Sequence, residues 1–306
     1  MKAATERSAD ICVLLNPGSG KRRGAALVAE LEAIFARHPG RFALRRLSKG
    51  TDIPAAARQA AAEGFATVAA AGGDGTISGV AGGLVGSGAR LGVLTLGTFN
   101  YFARALGLPD TLEEAVGVLL DGRPQPIAIG TVNGHVFLNN ASLGAYASIL
   151  ERREDVYRRW GRSRAAAFWS VLTTLAETRD PMVLRVTVDG TPRRLRTPLA
   201  FIASNAYQLD QFGLAGADCV RDGQFALFVA PDCGRAELLR FALRLAMRRM
   251  EPGRDFELFC GREILIESRR PQRLVARDGE RSRMAAPFRF EVKRDALEVL
   301  VPGDGA

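Results

Sequence analysis

The sequence predicts an α/β domain with a parallel, helix-covered sheet, followed by a second domain of mostly antiparallel β-strands. In the first third of the chain, short apolar runs alternate with segments of helical periodicity, the βαβ rhythm of a parallel sheet. After about residue 126, short strands dominate. Asn133-Gly134 and Asp189-Gly190 also indicate tight hairpins, which join antiparallel strands.

The elements of the first domain follow from apolar spacing and from residues that start and stop helices. Pro54 and Gly64 bracket an alanine-rich helix, and Thr111 with Glu114 forms a capping box. In chain order we predict a strand at 11–15, a helix with the apolar face Leu27, Leu31, Ile34 and Phe35, a helix at 55–63, strands at 66–71 and 91–96 flanking a glycine-rich helical segment, and a helix from 111 to about 122.

The second domain is expected to be built from short strands with two helices between them. The predicted strands, besides those of the two hairpins, are 199–204, 225–229, 256–259, 264–266, 288–292 and 297–301. The predicted helices are approximately 162–177 and 235–250.

The composition excludes several classes of protein. Hydrophobic residues make up 47% and charged residues 25%, which argues against a disordered chain. No window reaches the roughly 18 uninterrupted apolar residues of a membrane-spanning helix, and the N-terminus lacks the apolar core of a secretory signal. We therefore expect a cytoplasmic protein. The net charge of +9 favours anionic partners without choosing among nucleotides, lipid headgroups and nucleic acid.

Cysteine and histidine chemistry is not expected. The cysteines at 12, 219, 233 and 260 show no CxxC pair, which argues against a zinc site or a disulfide framework. We therefore predict reduced, mostly buried cysteines. His38 and His135 are the only histidines, and neither stands in an HExxH motif. Acid–base work should then fall to carboxylates.

The first candidate binding loop, Asn16-Pro17-Gly18-Ser19-Gly20-Lys21, lies between the first strand and the first helix. Backbone N–H groups of a tight glycine turn and of a helix N-terminus both bind phosphate. The loop is not a P-loop, because Arg22 stands where Ser or Thr is required. An ordinary strand-to-helix turn is the alternative interpretation.

Two further glycine loops also follow strands. They are Gly72-Gly73-Asp74-Gly75-Thr76 and Gly97-Thr98-Phe99-Asn100. Small residues let the backbone approach a polyphosphate, and Asp74 supplies a carboxylate suited to phosphate-bound Mg²⁺. We expect a positive φ at Gly73. Because parallel strands end at one edge of a sheet, all three loops should converge there.

Six blocks, spread over nearly the whole chain, carry a family resemblance. They are LLNPGSGK (14–21), GGDGT (72–76), LGTFNYFARALGLP (96–109), NGHVFLNNASLG (133–144), RDGQF (221–225) and RDGE (277–280). In this order they resemble the diacylglycerol kinase catalytic-domain superfamily, which includes bacterial lipid kinases and sphingosine and ceramide kinases. GGDGT is shared with NAD kinases and phosphofructokinases, whereas the NPxSG and LGTxNxFARxLGxP blocks are characteristic of lipid kinases.

The resemblance implies an NAD kinase-like fold with ATP and Mg²⁺ as cofactors. An α/β nucleotide-binding domain would span residues 1–126, and a β-sandwich lipid-substrate domain residues 127–286. The segment from about 287 to 306 would fold back onto the first domain. The residues implied to bind the nucleotide are Asn16, Gly18, Ser19, Gly20, Lys21, Gly72, Gly73, Gly75, Thr76, Thr98, Asn100 and Arg104.

The catalytic roles that the resemblance implies fall on carboxylates. Asp278 would be the general base for the lipid hydroxyl, Glu280 would stand near the metal, and Asp74 would serve both catalysis and metal binding. Asp222 matches an acidic ligand of a structural Mg²⁺, assisted by the backbone carbonyls of Cys219 and Gln224. An ordinary turn at Asp222 is the alternative.

Two positions depart from the family pattern. Tyr101 and Ala128 stand where many relatives carry aspartate. In those relatives the carboxylates belong to a network that links the metal to the active site. Their replacement implies a reduced metal affinity or a subgroup with a different network.

The expected function is transfer of the γ-phosphoryl group of ATP to a lipid hydroxyl. Diacylglycerol, a sphingoid base, ceramide and phosphatidylglycerol stay open as acceptors. An NAD kinase-like enzyme and a non-catalytic nucleotide- or lipid-binding protein are the alternatives. We expect a lipid substrate and an anionic membrane surface as partners, and no nucleic acid. A homodimer is left open.

Two arginine-rich stretches are candidates for peripheral membrane contact. Arg240, Arg244 and Arg248 recur every four residues in the predicted helix 235–250, and six arginines lie between positions 152 and 164. The alternatives are a core helix with a solvated arginine stripe and an ordinary charged surface.

Overall fold

The computed structural model describes residues 9–17, 25–144, 181–232 and 250–303, together with positions 237, 240, 244 and 247. The chain divides into two units, residues 1–129 with 294–306, and residues 130–293. Three predicted features lie wholly or mostly outside the described residues: the helix 162–177, the arginines between 152 and 164, and most of the helix 235–250.

The first unit alternates strands and helices along the chain. Its elements are β1 (Ile11–Leu15), α1 (Ala25–Ala36), β2 (Phe42–Arg46), α2 (Ile53–Ala62), β3 (Thr67–Gly72), α3 (Asp74–Leu84), β4 (Arg90–Thr95), α4 (Tyr101–Ala105) and α5 (Leu112–Asp121). The strands β5 (Arg123–Val132) and β16 (Phe288–Val301) each contribute one end to this unit and the other end to the second.

The sheet of the first unit is parallel, as predicted. Its strand order is β2-β1-β3-β4, with the end of β16 beside β4. The helices α1 and α5 bury Leu27, Leu31, Val116 and Leu119 against one face of this sheet. The helices α2 and α3 pack against each other, and α3 contacts β3. Because the central strands are covered on both sides, β1 and β3 are buried at every residue.

Local sequence signals set the helix starts. Asp52 caps α2 by accepting a hydrogen bond from the Ala55 N–H, and Pro54 follows in the first turn. Thr111 accepts a hydrogen bond from the Glu114 N–H at 3.3 Å, which confirms the predicted capping box of α5.

The second unit contains two sheets of antiparallel strands. Its remaining elements are β6 (His135–Phe137), β7 (Asn140–Gly144), β8 (Met182–Val188), β9 (Thr191–Thr197), β10 (Leu199–Ala203), α6 (Ala206–Phe212), α7 (Ala217–Arg221), β11 (Phe225–Val229), β12 (Glu257–Gly261), β13 (Glu263–Ser268), β14 (Gln272–Arg277) and β15 (Glu280–Ala285).

A shared hydrophobic core fills the second unit. One sheet runs from the start of β16 through β13 and β8 to β9, and the other has the order β12-β11-β10-β7-β14-β15. Phe137, Phe225, Phe288 and Phe290 are fully buried in this core. A smaller cluster forms where α6 and α7 cover the outer face of the second sheet around Phe228.

Several details of the fold differ from the sequence-based expectations, among them the short helices α4, α6 and α7, which were not predicted. The strands predicted at 288–292 and 297–301 form the single strand β16, and β2 was not predicted. The expectation of reduced cysteines is wrong for Cys219 and Cys260, which form a disulfide with their Cα atoms 5.8 Å apart. These cysteines are 41 positions apart in the chain, and they meet because α7 packs on β11, the neighbour of β12. Cys12 is a free, buried thiol, and Cys233 lies outside the described residues.

Among the described residues, no helix has both the length and the apolar character to cross a bilayer.

Candidate active site

The three glycine loops of the first unit follow neighbouring strands, as the parallel order predicted. Asn16 comes directly after β1, and its backbone N–H donates to the Ala71 carbonyl at the end of β3. The Asn16 side chain donates from Nδ2 to Thr76 Oγ1 at 3.0 Å. The Leu96 N–H, after β4, donates to the Gly72 carbonyl. Backbone and side-chain hydrogen bonds therefore join all three loops.

Close backbone approach, rather than a special dihedral angle, accounts for glycine in these loops. A Cβ added at Gly97 would lie 2.8 Å from Gly73 Cα and 2.5 Å from Asn100 Oδ1. A Cβ at Gly72 would lie 2.5 Å from the Thr76 side chain. The expected positive φ at Gly73 is wrong, since its φ is −93° in the extended N-cap position of α3.

Two oxygen-bearing side chains, those of Asp74 and Asn100, lie at the start of α4. Asp74 Oδ1 accepts a hydrogen bond from the Phe102 N–H at 3.3 Å. Asn100 is the N-cap of α4 and adopts a left-handed φ of 51°. It is 6% exposed, and its Oδ1 has no hydrogen-bond partner in the described part of the chain. A buried carbonyl oxygen without a donor suits a cation or a bound water.

The other predicted nucleotide residues have varied surroundings. Thr98 is exposed at the tip of its loop, and Gly75 lies in the first turn of α3. Arg104 forms an exposed ion pair with Asp110 at 3.6 Å. Tyr101, which stands where relatives carry aspartate, stacks on Phe99 with the ring centroids 5.5 Å apart. The predicted residues Gly18, Ser19, Gly20 and Lys21 lie outside the described residues.

In the second unit, Asp278 is the first residue of the two-residue turn that joins β14 to β15. Arg277 pairs with Glu280 across this hairpin, and Asp278 and Gly279 both have positive φ. Asp278 is 8% exposed. Its Oδ2 accepts the Leu138 N–H at 2.7 Å, and its Oδ1 accepts the N–H groups of Asn139 and Asn140 at 2.8 and 3.0 Å. Three backbone donors therefore fix the orientation of this carboxylate.

The charged side chains around Asp278 shift one another's pKa values. Nearby protein atoms displace water and raise the pKa of the Glu280 carboxyl, although the residue is exposed at the surface. Arg277 opposes this rise, and Asp278 adds to it. Burial lowers the pKa of the Arg277 guanidinium, which donates from Nη1 to the Val136 carbonyl at 3.1 Å. Partial burial, and then the positive charge of Arg277, lower the pKa of His135.

Comparisons with known proteins agree with this arrangement. Residues 10–132 match the diacylglycerol kinase catalytic domain, and residues 140–301 match the YegS C-terminal NAD kinase beta sandwich-like domain. A diacylglycerol kinase from Bacillus subtilis (strain 168) is 30% identical over 236 residues, which cover 75% of this chain and 76% of that protein. The chain belongs to the diacylglycerol kinase family.

More distant and more local similarities agree with this membership. A probable lipid kinase YegS-like from Pseudomonas aeruginosa (strain UCBPP-PA14) is 45% identical over 134 residues, 41% of this chain and 42% of that protein. The fold matches a crystal structure of a diacylglycerol kinase from Bacillus anthracis str. Sterne, with a TM-score of 0.68 at 17% identity over 97% of this chain and 98% of that one. The chain is thus a lipid kinase that uses ATP.

The second metal position predicted for this kinase lies at the end of α7. Asp222 is the C-cap of that helix, and its N–H donates to the Asp218 carbonyl. The Cys219 carbonyl accepts the Gln224 N–H at 2.9 Å, an ordinary turn contact. Among the described residues, no three His, Cys, Asp or Glu side chains lie close enough to form a metal site. A structural Mg²⁺ at Asp222 therefore stays a prediction.

Sequence reasoning missed a group of buried amides beside Asp278 in this kinase. Asn205 donates from Nδ2 to Asn139 Oδ1 at 2.7 Å, and Asn140 donates from Nδ2 to Gln208 Oε1 at 3.0 Å. Asn139 and Asn140 stand in a block that carried the family resemblance, but their side-chain partners come from α6. Only the folded arrangement reveals these pairs.

Proposed function

We propose that this kinase phosphorylates a lipid hydroxyl with Asp278 as the general base. The observation that carries the proposal is the buried Asp278 carboxylate, whose orientation three backbone N–H groups fix. Phosphoryl transfer depends mainly on positioning and charge, together with a carboxylate that accepts the proton of the acceptor hydroxyl. Asp278 would accept that proton as the lipid oxygen bonds to the γ-phosphorus of ATP and the bond from that phosphorus to the bridging oxygen breaks, with ADP as the leaving group. Glu280 would supply a further negative charge near the metal.

The nucleotide would bind at the glycine loops of the first unit. Gly72 and Gly97 support this role through the close packing of the loops, because a Cβ at Gly72 would meet Thr76 and a Cβ at Gly97 would meet Gly73 and Asn100. Asn16, joined to Thr76, would orient the loop that contains Gly18, Ser19, Gly20 and Lys21. Gly73, Gly75, Thr98, Asn100 and Arg104 complete the proposed set. ATP, when bound, supplies the γ-phosphoryl group.

The residues at the start of α4 fit Mg²⁺. This ion usually takes one or two protein oxygens and completes its shell with water and substrate phosphates. The Asp74 carboxylate and the buried Asn100 Oδ1 supply oxygens of that kind. Mg²⁺, when bound, would neutralise charge on the phosphates. Since the Asp74 carboxylate already accepts the Phe102 N–H, its orientation is set within the protein.

Diacylglycerol is the acceptor we propose first, because relatives of this chain are named diacylglycerol kinase. A transfer assay with radiolabelled ATP would compare diacylglycerol, a sphingoid base, ceramide, phosphatidylglycerol and NAD in the same buffer. A labelled lipid is the expected product. Labelled NAD phosphate without a lipid product would support the NAD kinase alternative, and no transfer to any acceptor would support a binding protein.

Contact with the membrane would be peripheral and electrostatic. The substrate class resides in a bilayer, and the net charge of +9 favours an anionic surface. Of the arginines first considered, Arg240 is exposed. Arg244 is instead bound to Asp255 at 2.9 Å, with side chains only 19% and 9% exposed. Arg244 therefore fits neither membrane contact nor the alternative of a solvated stripe. Arg248 lies outside the described residues, and Arg240 is the candidate for the lipid surface.

A further inference from the structure

Four buried amide side chains lie beside Asp278, and two of them belong to residues whose backbone N–H groups bind its carboxylate. We name this group the amide clasp; its members are Asn139, Asn140, Asn205 and Gln208, which are 2%, 5%, 4% and 7% exposed. Asn205 and Gln208 belong to the start of α6, and Asn139 and Asn140 to the start of β7. The clasp therefore joins a helix to the strand segment that donates to Asp278.

The hydrogen bonds of the clasp are cross-linked. Asn205 bonds Asn139, and Gln208 bonds Asn140, through the side-chain contacts described above. Asn205 Oδ1 also accepts the Gln208 N–H at 3.0 Å and so caps α6. The Ser204 N–H donates to the Asn139 carbonyl at 2.8 Å. A shift of α6 would therefore move the Asn139 and Asn140 backbone.

That backbone is what orients Asp278. Two of the three N–H groups on its carboxylate come from Asn139 and Asn140, and the Asp278 N–H returns a bond to the Asn140 carbonyl at 3.0 Å. Helix capping alone requires only Asn205. The pair formed by Gln208 and Asn140 has no part in the cap, yet it buries two amides next to the carboxylate.

We infer that Asn205 and Gln208 are positioning residues for the phosphoryl-transfer reaction and act through the backbone that holds Asp278. This inference rests on the proposed role of Asp278 as base. Gln208 reaches the Asp278 carboxylate through two bonds, from Asn140 Nδ2 to Gln208 and from the Asn140 N–H to Asp278. Displacing a reacting group by about 1 Å can lower a rate about a hundredfold, so an effect on turnover is expected without contact to either substrate.

The test compares Gln208→Met with Gln211→Met on the same helix. Gln211 is exposed, and its side chain donates to the hydroxyl of Tyr207 one turn earlier on the same helix, so it controls for the substitution itself. Gln208→Met should lower kcat about tenfold or more with little change in the KM for ATP, whereas Gln211→Met should be near native. Melting curves would correct kcat for the folded fraction. Equal effects of the two substitutions would overturn the inference.

Asn205→Ser provides a second variant in case Gln208→Met folds poorly. Serine retains the cap acceptor for α6 but is too short to reach Asn139. The same loss of kcat is expected, together with a shifted acidic limb in the pH profile of kcat. A lower melting temperature with unchanged kcat and pH profile would reduce the clasp to a structural role and overturn the inference.

A double-mutant cycle separates this inference from the proposed function. If the clasp acts through Asp278, Gln208→Met should add no loss of activity in an Asp278→Asn background. Independent, multiplying losses would contradict the positioning role while Asp278 remains the base. Native activity of Asp278→Asn alone would instead refute the proposed function.

Discussion

At the scale of single residues, Gly97 marks a close approach between two of the glycine loops, because an added Cβ would meet both Gly73 and Asn100. Gly97→Ala should therefore displace the loop after β4 and weaken ATP binding at least tenfold, an effect of about 1.4 kcal/mol. Gly117→Ala in α5 is the matched control, since a Cβ there meets nothing within 4 Å. The control should bind ATP normally and melt no lower than the native protein. Titration calorimetry measures both affinities, and native ATP affinity of Gly97→Ala would contradict this assignment.

Asp74 combines a structural contact with a proposed metal contact, and two substitutions separate them. Asp74→Asn keeps an oxygen that can accept the Phe102 N–H but removes the charge, whereas Asp74→Ala removes both. Both variants should lose turnover by orders of magnitude at physiological Mg²⁺, because without the Asp74 carboxylate the protein would hold Mg²⁺ more weakly and the charge on the phosphates would be less well neutralised. Only Asp74→Ala should also lower the melting temperature. Near-native turnover of Asp74→Asn would place the metal elsewhere.

The sequence could identify Asp74 and Asp278 but not their hydrogen bonds. Both stand in motifs whose glycines and carboxylate are recognisable from residue type and spacing alone. The donors to Asp278 come from positions 138–140 and are set by the alignment of β7 with β14. Asn205 and Gln208 are similarly invisible, since one-dimensional spacing does not reveal which strand a helix covers.

At the scale of the elements, the pair formed by Arg244 and Asp255 anchors the chain just before β12. Arg244→Glu leaves a buried carboxylate facing a second one, so unfolding should become easier by about 3 kcal/mol or more. Arg240→Glu, at an exposed position, should leave the melting temperature nearly unchanged but weaken sedimentation with anionic vesicles, and added salt should mimic that loss. Equal vesicle binding by native protein and Arg240→Glu would remove this arginine from the proposed membrane surface.

The same pair contributes to stability in a pH-dependent way. Burial alone would raise the pKa of Asp255, but hydrogen bonds from the Glu251 N–H and Arg244 hold it below the ordinary value of 3.8. A depressed pKa in the folded state means that the contribution is complete above about pH 4 and is lost as the pH falls through the folded-state pKa. The stability difference between native protein and Asp255→Asn should therefore narrow on acidification. A difference that grows in acid would contradict this.

The disulfide ties α7 to β12 across a separation of 41 residues. Replacing Cys219 with Ser should lower the free energy of unfolding by about 2–4 kcal/mol, and a reductant should have a similar effect on the native protein only. Denaturant melts with and without dithiothreitol measure this. Identical melts would show that the bond does not form in solution.

Elements with strong local signals were predicted, and elements defined by tertiary pairing were not. The helix α5 starts at its predicted capping box, and β11 has the predicted bounds. The strand β2 is only half-buried and contains Arg45 and Arg46, so its apolar pattern is weak. The unbroken length of β16 reflects its pairing with β13 at one end and β4 at the other, which no local pattern encodes.

At the scale of the whole molecule, two units provide two kinds of chemistry. The first unit offers small-residue loops at the ends of parallel strands, and the second offers a fixed carboxylate in a sandwich of antiparallel strands. The family-level fold was accessible from the sequence because motif order and strand rhythm extend over nearly the whole chain. The identity of the lipid could not be predicted from the sequence, since the blocks that match the family contain no residue that is diagnostic of an acceptor.

The measurement that tests the central claim most directly is the kcat of Asp278→Asn with the best lipid substrate. We expect a loss of about a hundredfold or more, because the variant lacks the proton acceptor, with ATP affinity close to native. His38→Ala and His135→Ala serve as controls and should each remain close to native. An active Asp278→Asn protein, or a dead histidine variant beside it, would contradict Asp278 as the base of this lipid kinase.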